Sequence, residues 1–215
     1  MQKSFIFDFD GTLVDSKDLI YKCFEKITMI IAPERVSEIK KIIIGPPLEE
    51  TAKEILGSEY LDKVKTFTKM FIQLHDQNVT NFSKPFPRVV ETLKKLHSSN
   101  IPMAIATNKR EIPTYELINH YGWFDFFRFI ECSNSNNKKR NKTEMISEII
   151  QKNALFANSS LVGDTKGDGL SAQKNNIPFI YAAYGYGKET KWDKIEMYKS
   201  INKFDEILNE TEINI

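Results

Sequence analysis

The sequence has few of the residues that build disulfide frameworks or histidine metal centres. Among its 215 residues are two cysteines, Cys23 and Cys132, and three histidines, His75, His97 and His120. Two cysteines cannot form a disulfide framework, and neither has the spacing of a metal ligand, so a reducing, cytoplasmic setting is expected. The histidines lie far apart in helical patterns, and we interpret them as solvated or core residues.

Long apolar runs and an excess of charge of one sign are also missing. The apolar stretch at 27–32 is far too short to span a bilayer. Because the sequence enters a strand pattern directly, export is not expected. With 30 basic and 29 acidic residues the net charge is +1, which gives no reason to expect nucleic acid or an acidic membrane as a partner. We therefore expect a cytoplasmic monomer or homodimer whose partner is a small molecule.

Glycine-rich nucleotide-binding signatures are absent as well. The chain contains no Gly-x-x-x-x-Gly-Lys phosphate loop. The spacing of Gly163, Gly167 and Gly169 does not match the dinucleotide-binding fingerprint. Neither kind of nucleotide-binding loop is therefore predicted.

The chain opens with an apolar run that ends in two aspartates. Residues 5–16 read Phe-Ile-Phe-Asp-Phe-Asp-Gly-Thr-Leu-Val-Asp-Ser. Side chains alternate along a strand, so Asp8 and Asp10 are expected to point the same way. Two like charges placed together are unfavourable unless a cation is shared between them, and a divalent hard cation is the simplest such partner for oxygen ligands. This pattern indicates phosphate chemistry.

Short β-branched or aromatic runs alternate with longer helical patterns along most of the chain. Strands are predicted at 3–9, 101–107, 127–131, 159–163 and 177–181, with a weaker one at 197–201. Helices are predicted at 87–99, 112–121, 142–153 and 166–175, with a last one from 203. This alternation predicts an α/β fold, a Rossmann-like parallel sheet with helices on both faces, whose ligands bind beyond the carboxyl ends of the strands.

One long segment interrupts this alternation. From about 16 to 84 there is no convincing strand, and apolar residues recur at helical spacing, as at 60–67. The stretch Ile-Gly-Pro-Pro-Leu at 44–48 is a loop between helices, and Lys-Pro-Phe-Pro at 84–87 is a natural hinge. We therefore expect an α/β core made of 1–15 and 85–215, with an all-helical cap domain of residues 16–84 inserted after the first strand.

Polar side chains follow several later elements. They are Thr107 and Asn108 after the second strand, Lys142 at the start of a helix, and Asp164 and Asp168 after the fourth strand. Because the carboxyl ends of parallel strands meet at one edge of the sheet, these residues are expected near the two N-terminal aspartates.

Together these residues resemble the motifs of the haloacid dehalogenase-like hydrolase superfamily. Its Asp-x-Asp-Gly-Thr motif, its Ser or Thr at the end of the next strand, its Lys and its Gly-Asp-x-x-x-Asp motif all occur here in order. The helical segment after the first motif resembles the small cap domain of that family. Within the superfamily, the 44–48 loop and the Tyr-Gly-Tyr-Gly stretch at 184–187 resemble the phosphoglycolate phosphatase group.

The resemblance implies a Mg²⁺-dependent phosphomonoester hydrolase that works through an aspartyl-phosphate. Asp8 would be the nucleophile, and Asp10 would donate a proton to the leaving oxygen and then take one from water. The implied Mg²⁺ ligands are Asp8, Asp164 and the backbone carbonyl of Asp10, with Asp168 in the second shell or bound through a water.

The same resemblance assigns residues to the phosphate group. Thr107 and Lys142 are counted as both catalytic and substrate-binding, and Gly11, Thr12 and Asn108 as substrate-binding. Lys142 would neutralise the transferring phosphoryl group, while Thr107 and backbone N–H groups would hold its oxygens.

One departure from the family pattern concerns the lysine. The family usually has Pro after this residue, whereas Thr143 follows Lys142 here. The polar loop at 133–140 also contains Lys138 and Lys139. Either of them is an alternative for the contact with the phosphoryl group.

Two other functions stay open at the level of sequence. A phosphomutase of the same fold, like β-phosphoglucomutase, would retain every core residue and differ in the cap. A non-catalytic phosphate-binding regulator is the second alternative, although a site that only binds has no need of Asp10 as an acid–base group. Phosphoglycolate is the substrate that the subgroup likeness indicates, with nucleotides and sugar phosphates as alternatives.

Overall fold

The computed structural model describes residues 3–135, 139–187, 192 and 195–211. In chain order its strands are β1 (Ser4–Phe7), β2 (Val14–Asp15), β3 (Lys84–Pro85), β4 (Met103–Thr107), β5 (Phe129–Cys132), β6 (Ser159–Gly163), β7 (Phe179–Ala182) and β8 (Lys199–Ile201). Six of them form a parallel sheet in the order β5-β4-β1-β6-β7-β8. The strand order therefore changes direction at β1, which lies between β4 and β6.

The helices connect and cover these strands. They are α1 (Lys17–Ile31), α2 (Leu48–Leu56), α3 (Val64–Asp76), α4 (Val79–Phe82), α5 (Val89–Ser98), α6 (Glu111–His120), α7 (Lys142–Lys152) and α8 (Lys166–Lys174). Shorter 3₁₀ segments include Pro33–Lys41, Ser58–Lys63 and Phe204–Glu210. Among the described residues, none of the helices combines the length and the apolar character needed to cross a membrane.

The central strand is buried on both of its faces. Phe5 and Phe7 point into one apolar cluster, where the Phe7 ring lies 5.6 Å from the ring of Phe204. Ile6 points into a second cluster, which includes Met145 of α7. All three β1 side chains are fully buried, as expected for a parallel sheet covered by helices on both sides. The predicted α/β fold with its parallel sheet is therefore confirmed.

The first strand is shorter than the predicted range of 3–9. It ends at Phe7, because the chain then enters a turn in which the carbonyl of Phe9 accepts the N–H groups of Leu13 and Val14, both at 2.9 Å. Asp8 and Asp10 therefore lie beyond the strand, and the prediction that alternation along a strand orients them was wrong. The turn, rather than the pleat, decides where the carboxylate of Asp10 points.

Helical structure fills the segment between β2 and β3. Inside it, the ring of Phe24 on α1 packs 6.1 Å from Phe67 and 4.9 Å from Phe71, both on α3. The segment is joined to the sheet through β2 and β3, which form an antiparallel pair with Asp15 opposite Lys84. The sequence pattern does not predict these strands, because two residues each are too few for a periodic pattern. The chain therefore passes from the sheet into the helical segment just after β2, which we call the first crossing, and returns at β3, which we call the second crossing. The two crossings lie side by side, next to the predicted boundaries at 15/16 and 84/85.

Candidate active site

Three buried carboxylates meet at the carboxyl edge of the sheet. Asp8 follows β1, Asp164 follows the neighbouring strand β6, and Asp168 lies in the first turn of α8. Each offers a carboxylate oxygen, and these oxygens lie within 4.8 Å of one another. Asp164 and Asp168 are fully buried, and Asp8 is 4% exposed. Residues 156 positions apart in the chain are adjacent here because β1 and β6 are paired in parallel.

One buried cation faces this cluster. The Nζ atom of Lys142, the first residue of α7, lies 2.8 Å from Oδ1 of Asp8 and also contacts Oδ1 of Asp168. Burial alone would lower the pKa of Lys142, but the carboxylates of Asp168 and Asp8 outweigh it and raise that pKa. Lys142 is therefore a protonated ammonium group in contact with Asp8.

A single ammonium does not balance three carboxylates. Burial raises the pKa of Asp8 to about 6, with Lys142 acting in the opposite direction and Asp168 adding to the increase. Burial, followed by the charges of Asp168 and Asp8, raises the pKa of Asp164 well above its usual range. The cluster therefore favours additional positive charge, and three convergent carboxylates are a donor set that suits a hard divalent cation such as Mg²⁺.

Asp168 is held by the start of its own helix. Its Oδ2 accepts hydrogen bonds from the backbone N–H of Thr165 at 2.9 Å and from the Thr165 hydroxyl at 2.6 Å. The backbone N–H of Asp168 in turn donates to the Thr165 hydroxyl oxygen at 3.3 Å, which completes a capping box. A Cβ atom at Gly163 would lie 2.5 Å from Cβ of Asp168, so the strand end packs directly against this side chain. Asp168 is thus fixed in place, and its other oxygen, Oδ1, contacts Lys142. This contact orients the Lys142 ammonium group, which also binds Asp8.

Asp164 is enclosed by backbone and by one hydroxyl group. The backbone N–H of Tyr186 donates to its Oδ2 at 2.7 Å, and the Thr12 hydroxyl donates to its Oδ1 at 3.3 Å. Gly11 has a φ of +86°, and a Cβ atom there would lie 2.3 Å from Oδ2 of Asp164. Only glycine fits this position, on grounds of both conformation and space.

The carboxylate of Asp10 binds side chains outside the cluster of three carboxylates. It accepts hydrogen bonds from the Ser16 hydroxyl at 2.6 Å and from Nζ of Lys109 at 3.0 and 3.2 Å. A metal contact through the backbone carbonyl of Asp10 stays a prediction from the sequence. Lys109 and Ser16 were missed, although the lysine directly follows the singled-out Thr107-Asn108 pair.

Thr107 and Asn108 lie on the loop after β4. The hydroxyl of Thr107 is buried and accepts the backbone N–H of Lys109 at 3.1 Å. The side-chain amide of Asn108 donates to the carbonyl of Gly45 at 2.8 Å. Asn108 thereby connects the edge of the sheet with the 44–48 loop of the helical segment.

A cavity of about 100 Å³ opens between the sheet edge and the helical segment. Asp8, Asp10 and Thr107 line one side of it, and Phe24, Phe71 and His75 line the other. Of the other predicted residues, Gly11 and Thr12 lie against Asp164, and Lys142 against Asp8. The structure thus brings all nine predicted site residues to one region of the molecule.

His75 contributes to this cavity, which the sequence gave no reason to expect. It is buried at the end of α3, with its ring stacked 5.3 Å from that of Phe71. Its Nε2 lies 3.4 Å from Nζ of Lys109, and burial together with the Lys109 charge lowers the pKa of His75. The next residue, Asp76, accepts a hydrogen bond from Arg110 at 2.5 Å. No motif marks His75, because Lys109, which connects it to Asp10, lies 34 positions away in the chain.

The alternative lysines differ clearly from Lys142. The Lys139 side chain is 79% exposed and pairs with Glu49 of α2 at 2.8 Å, away from Asp8. Lys138 lies outside the described residues. Lys142 is the described lysine that contacts Asp8.

Comparison with known proteins gives a consistent result. Residues 5–182 match the sequence model of the family described as haloacid dehalogenase-like hydrolase. The chain is 27% identical to a phosphoglycolate phosphatase of Rhodobacter capsulatus, over 87% of each chain. It is also 27% identical to the pyrophosphatase PpaX of Oceanobacillus iheyensis, over 89% of this chain and 88% of the relative.

The fold agrees with a solved structure of the same family. A haloacid dehalogenase-like hydrolase from Streptococcus pneumoniae superposes with a TM-score of 0.81 at 23% identity, covering 98% of each chain. The prediction of a phosphatase-type enzyme resembling the phosphoglycolate phosphatase group is thereby confirmed. The chain belongs to the haloacid dehalogenase-like hydrolase family.

Proposed function

We propose that this enzyme hydrolyses a small phosphate monoester with the help of Mg²⁺, through a phosphorylated Asp8. The observation that carries the proposal is the position of Asp8. This carboxylate lies at the edge of the cavity, contacts the Lys142 ammonium group and belongs to a cluster of three buried carboxylates. A nucleophile, a fixed cation and a metal-type donor set are the parts that phosphoryl transfer needs.

In the first step an oxygen of Asp8 attacks phosphorus and the bond to the ester oxygen breaks. Asp10 donates a proton to that leaving oxygen, and the Ser16 and Lys109 contacts orient the Asp10 carboxylate. In the second step Asp10 takes a proton from water, which attacks the phosphorus and releases Asp8 and inorganic phosphate. Lys142 and the Thr107 hydroxyl hold the phosphoryl oxygens in both steps.

The carboxylates of Asp8 and Asp164, with the backbone carbonyl of Asp10, would hold Mg²⁺. Asp168 would act through a water or through its contact with Lys142. Bound Mg²⁺ supplies the positive charge that the carboxylate cluster lacks and that a phosphate dianion requires. Gly11, Thr12 and Asn108 complete the proposed phosphate-binding set.

The cavity supports a small leaving group. Its volume of about 100 Å³ leaves little room for a nucleoside or a sugar. Lys109, which binds Asp10, and Arg110, which binds Asp76, both lie on its wall, where they would favour an anionic substituent. Phosphoglycolate is therefore our first candidate substrate, and pyrophosphate, which the name of one relative indicates, is the second.

Residues 16–84 are proposed to act as a cap that covers this cavity, since the 44–48 loop and His75 both contribute to its lining. Phosphatase activity is favoured over phosphomutase or regulatory function by the named phosphatases among the relatives. A cytoplasmic location and a monomeric or homodimeric state stay predictions from the sequence.

An assay of phosphate release tests this function. We expect turnover of phosphoglycolate, and slower turnover of a generic aryl phosphate, with Mg²⁺ present and none after addition of EDTA. Asp125→Asn, which changes an exposed aspartate, serves as a matched control for Asp8→Asn. The proposal fails if turnover is insensitive to EDTA, or if Asp8→Asn retains the rate of Asp125→Asn.

A further inference from the structure

The segment 184–187, Tyr-Gly-Tyr-Gly, lies after β7 and packs directly against the metal-type cluster. We call it the tyrosine loop. A Cβ atom at Gly185 would lie 2.3 Å from Cβ of Asp164 and equally close to the carbonyl oxygen of Gly11. A Cβ atom at Gly187 would lie 1.9 Å from the carbonyl oxygen of Asp164. The loop therefore packs against Asp164 so closely that it cannot approach this residue further without displacing it.

Tyr186 extends from this contact to the first chain crossing. Its backbone N–H binds Oδ2 of Asp164 at 2.7 Å. At the other end of the residue, its hydroxyl accepts the backbone N–H of Ser16 at 2.7 Å and lies 3.0 Å from Oδ1 of Asp15, to which it donates. One residue thus binds both a proposed metal ligand and the connection between β2 and α1.

The connection continues to the proposed acid–base residue. Ser16 is buried, and its hydroxyl donates to Oδ1 of Asp10 at 2.6 Å. A continuous hydrogen-bonded path therefore runs from Asp164 through Tyr186 and Ser16 to Asp10. Every link in it is at most 2.7 Å long.

The tyrosine loop also contacts the second chain crossing. The ring of Phe86, just after β3, lies 5.1 Å from that of Tyr184 and 6.2 Å from that of Tyr186. The Tyr184 hydroxyl donates to the carbonyl of Thr12 at 2.8 Å. Both crossings between the sheet and the helical segment therefore lie against this one loop, and a movement of the segment acts on it.

We propose that Tyr186 is a positioning residue that couples the first crossing to the carboxylates of Asp164 and Asp10. Movement of the helical segment strains the Ser16–Tyr186 bond and is transmitted through the side chain of Tyr186 to its backbone N–H at Asp164. The consequence for turnover rests on the function proposed above, whereas the coupling itself does not.

Tyr186→Phe is the direct test, because it removes the hydroxyl and leaves the ring and the backbone N–H in place. Tyr21→Phe is the matched control, since it removes a half-buried hydroxyl that donates to the carbonyl of Ile42 at 2.7 Å inside the helical segment. Hydrogen exchange of the Ser16 amide, measured by NMR, should be about three- to tenfold faster in Tyr186→Phe and unchanged in Tyr21→Phe. An unchanged Ser16 amide in Tyr186→Phe would overturn the proposal.

A double-mutant comparison tests the coupling to the metal-type cluster. Asp164→Ala removes the acceptor of the Tyr186 N–H and should accelerate exchange at Ser16 in the protein with Tyr186. It should add little in the Tyr186→Phe background, because the hydroxyl bond is already gone. Equal acceleration in both backgrounds would contradict coupling through Tyr186. If Asp164→Ala does not fold, the exchange rates of the Ser16 amide in Tyr186→Phe and Tyr21→Phe still test the proposal.

Kinetics separate positioning from a purely structural role. Tyr186→Phe should lower kcat about tenfold with a KM changed less than about twofold, and Tyr21→Phe should keep the wild-type kcat at a similar loss of thermal stability. Equal kcat values in the two variants would show that Tyr186 does not position the catalytic carboxylates. If the wild-type protein hydrolyses no phosphate ester, the proposed function fails, while exchange at Ser16 still tests the coupling.

Discussion

At the scale of single residues, the site is defined by an imbalance of charge. Asp8, Asp164 and Asp168 are buried together, and Lys142 is the cation in contact with two of them. Burial of carboxylates with insufficient positive charge is unfavourable unless a ligand compensates for it. The arrangement therefore suits the cation and phosphate site proposed above better than it suits a stabilising ion pair.

The contact between Lys142 and Asp8 predicts a large effect of removing the ammonium group. Lys142→Met should lower kcat by about two to three orders of magnitude, because a buried cation aimed at developing charge is lost. Lys139→Met, which changes an exposed lysine near the same loop, should keep near-normal turnover. Steady-state kinetics on folded protein measure both. If kcat fell strongly in Lys139→Met and little in Lys142→Met, the lysine that contacts the phosphoryl group would be Lys139 instead of Lys142.

Single residues also mark what the sequence could not reveal. The aspartates and Lys142 stand next to predicted strand ends or helix starts, where topology alone brings them together. Lys109 reaches Asp10 across 99 positions and His75 across 34, with no motif to connect them. Such contacts depend on how the helical segment packs on the sheet, which periodicity does not specify.

At the scale of elements, the turn after β1 decides the geometry of the site. It ends the strand at Phe7, points Asp10 towards Lys109, and brings Gly11 against Asp164. The sequence pattern predicts a strand that continues to residue 9, whereas the observed strand ends at Phe7, where the turn begins. Two-residue strands such as β2 were missed for the related reason that they leave no periodic trace.

Gly11 and Gly122 form a matched pair for testing this turn. Both have positive φ, +86° and +67°, but a Cβ atom at Gly122 would meet no atom within 4 Å. Gly122→Ala should lower the free energy of unfolding by about 1–2 kcal/mol, the cost of the left-handed backbone alone. Gly11→Ala adds a clash with Asp164 and should lose more stability than this, together with most of the turnover.

Denaturant unfolding and phosphate release provide the two measurements for this pair. The role assigned to the turn would be wrong if Gly11→Ala were no less stable than Gly122→Ala and equally active. Such a result would mean that Asp164 can shift away from the added methyl group without consequence for the site.

At the scale of the whole molecule, the site lies where the strand order changes direction. β4 and β6 flank β1, and the residues after all three strands face the same cavity or cluster. Ligands of open α/β sheets bind at such a point. The helical segment between β2 and β3 adds His75 and the 44–48 loop from the opposite side.

Global stability should depend on both pH and Mg²⁺. The pKa of Asp8 is raised from 3.8 to about 6, so the folded metal-free protein binds protons more tightly than the unfolded chain does. The contribution of Asp8 to the free energy of unfolding is therefore lost as the pH rises from 3.8 to about 6. Mg²⁺ must displace these protons, so it should raise Tm more at about pH 7.5 than at about pH 5.

Thermal unfolding with and without Mg²⁺ at the two pH values checks this expectation. Asp164→Asn should remove most of the Mg²⁺ effect, and Asp125→Asn should leave it intact. A Mg²⁺ effect that is equal at both pH values, or larger under acidic conditions, would contradict the assignment of these carboxylates to the metal.

The central claim is that Asp8 forms a covalent bond to phosphorus during turnover. Acid quenching of the enzyme during hydrolysis, followed by digestion and mass spectrometry of the N-terminal peptide, tests it most directly. We expect one phosphoryl group on Asp8 in the wild-type protein and none in Asp8→Asn, which should also be inactive. Phosphorylation of a different residue, or near-normal turnover by Asp8→Asn, would contradict it.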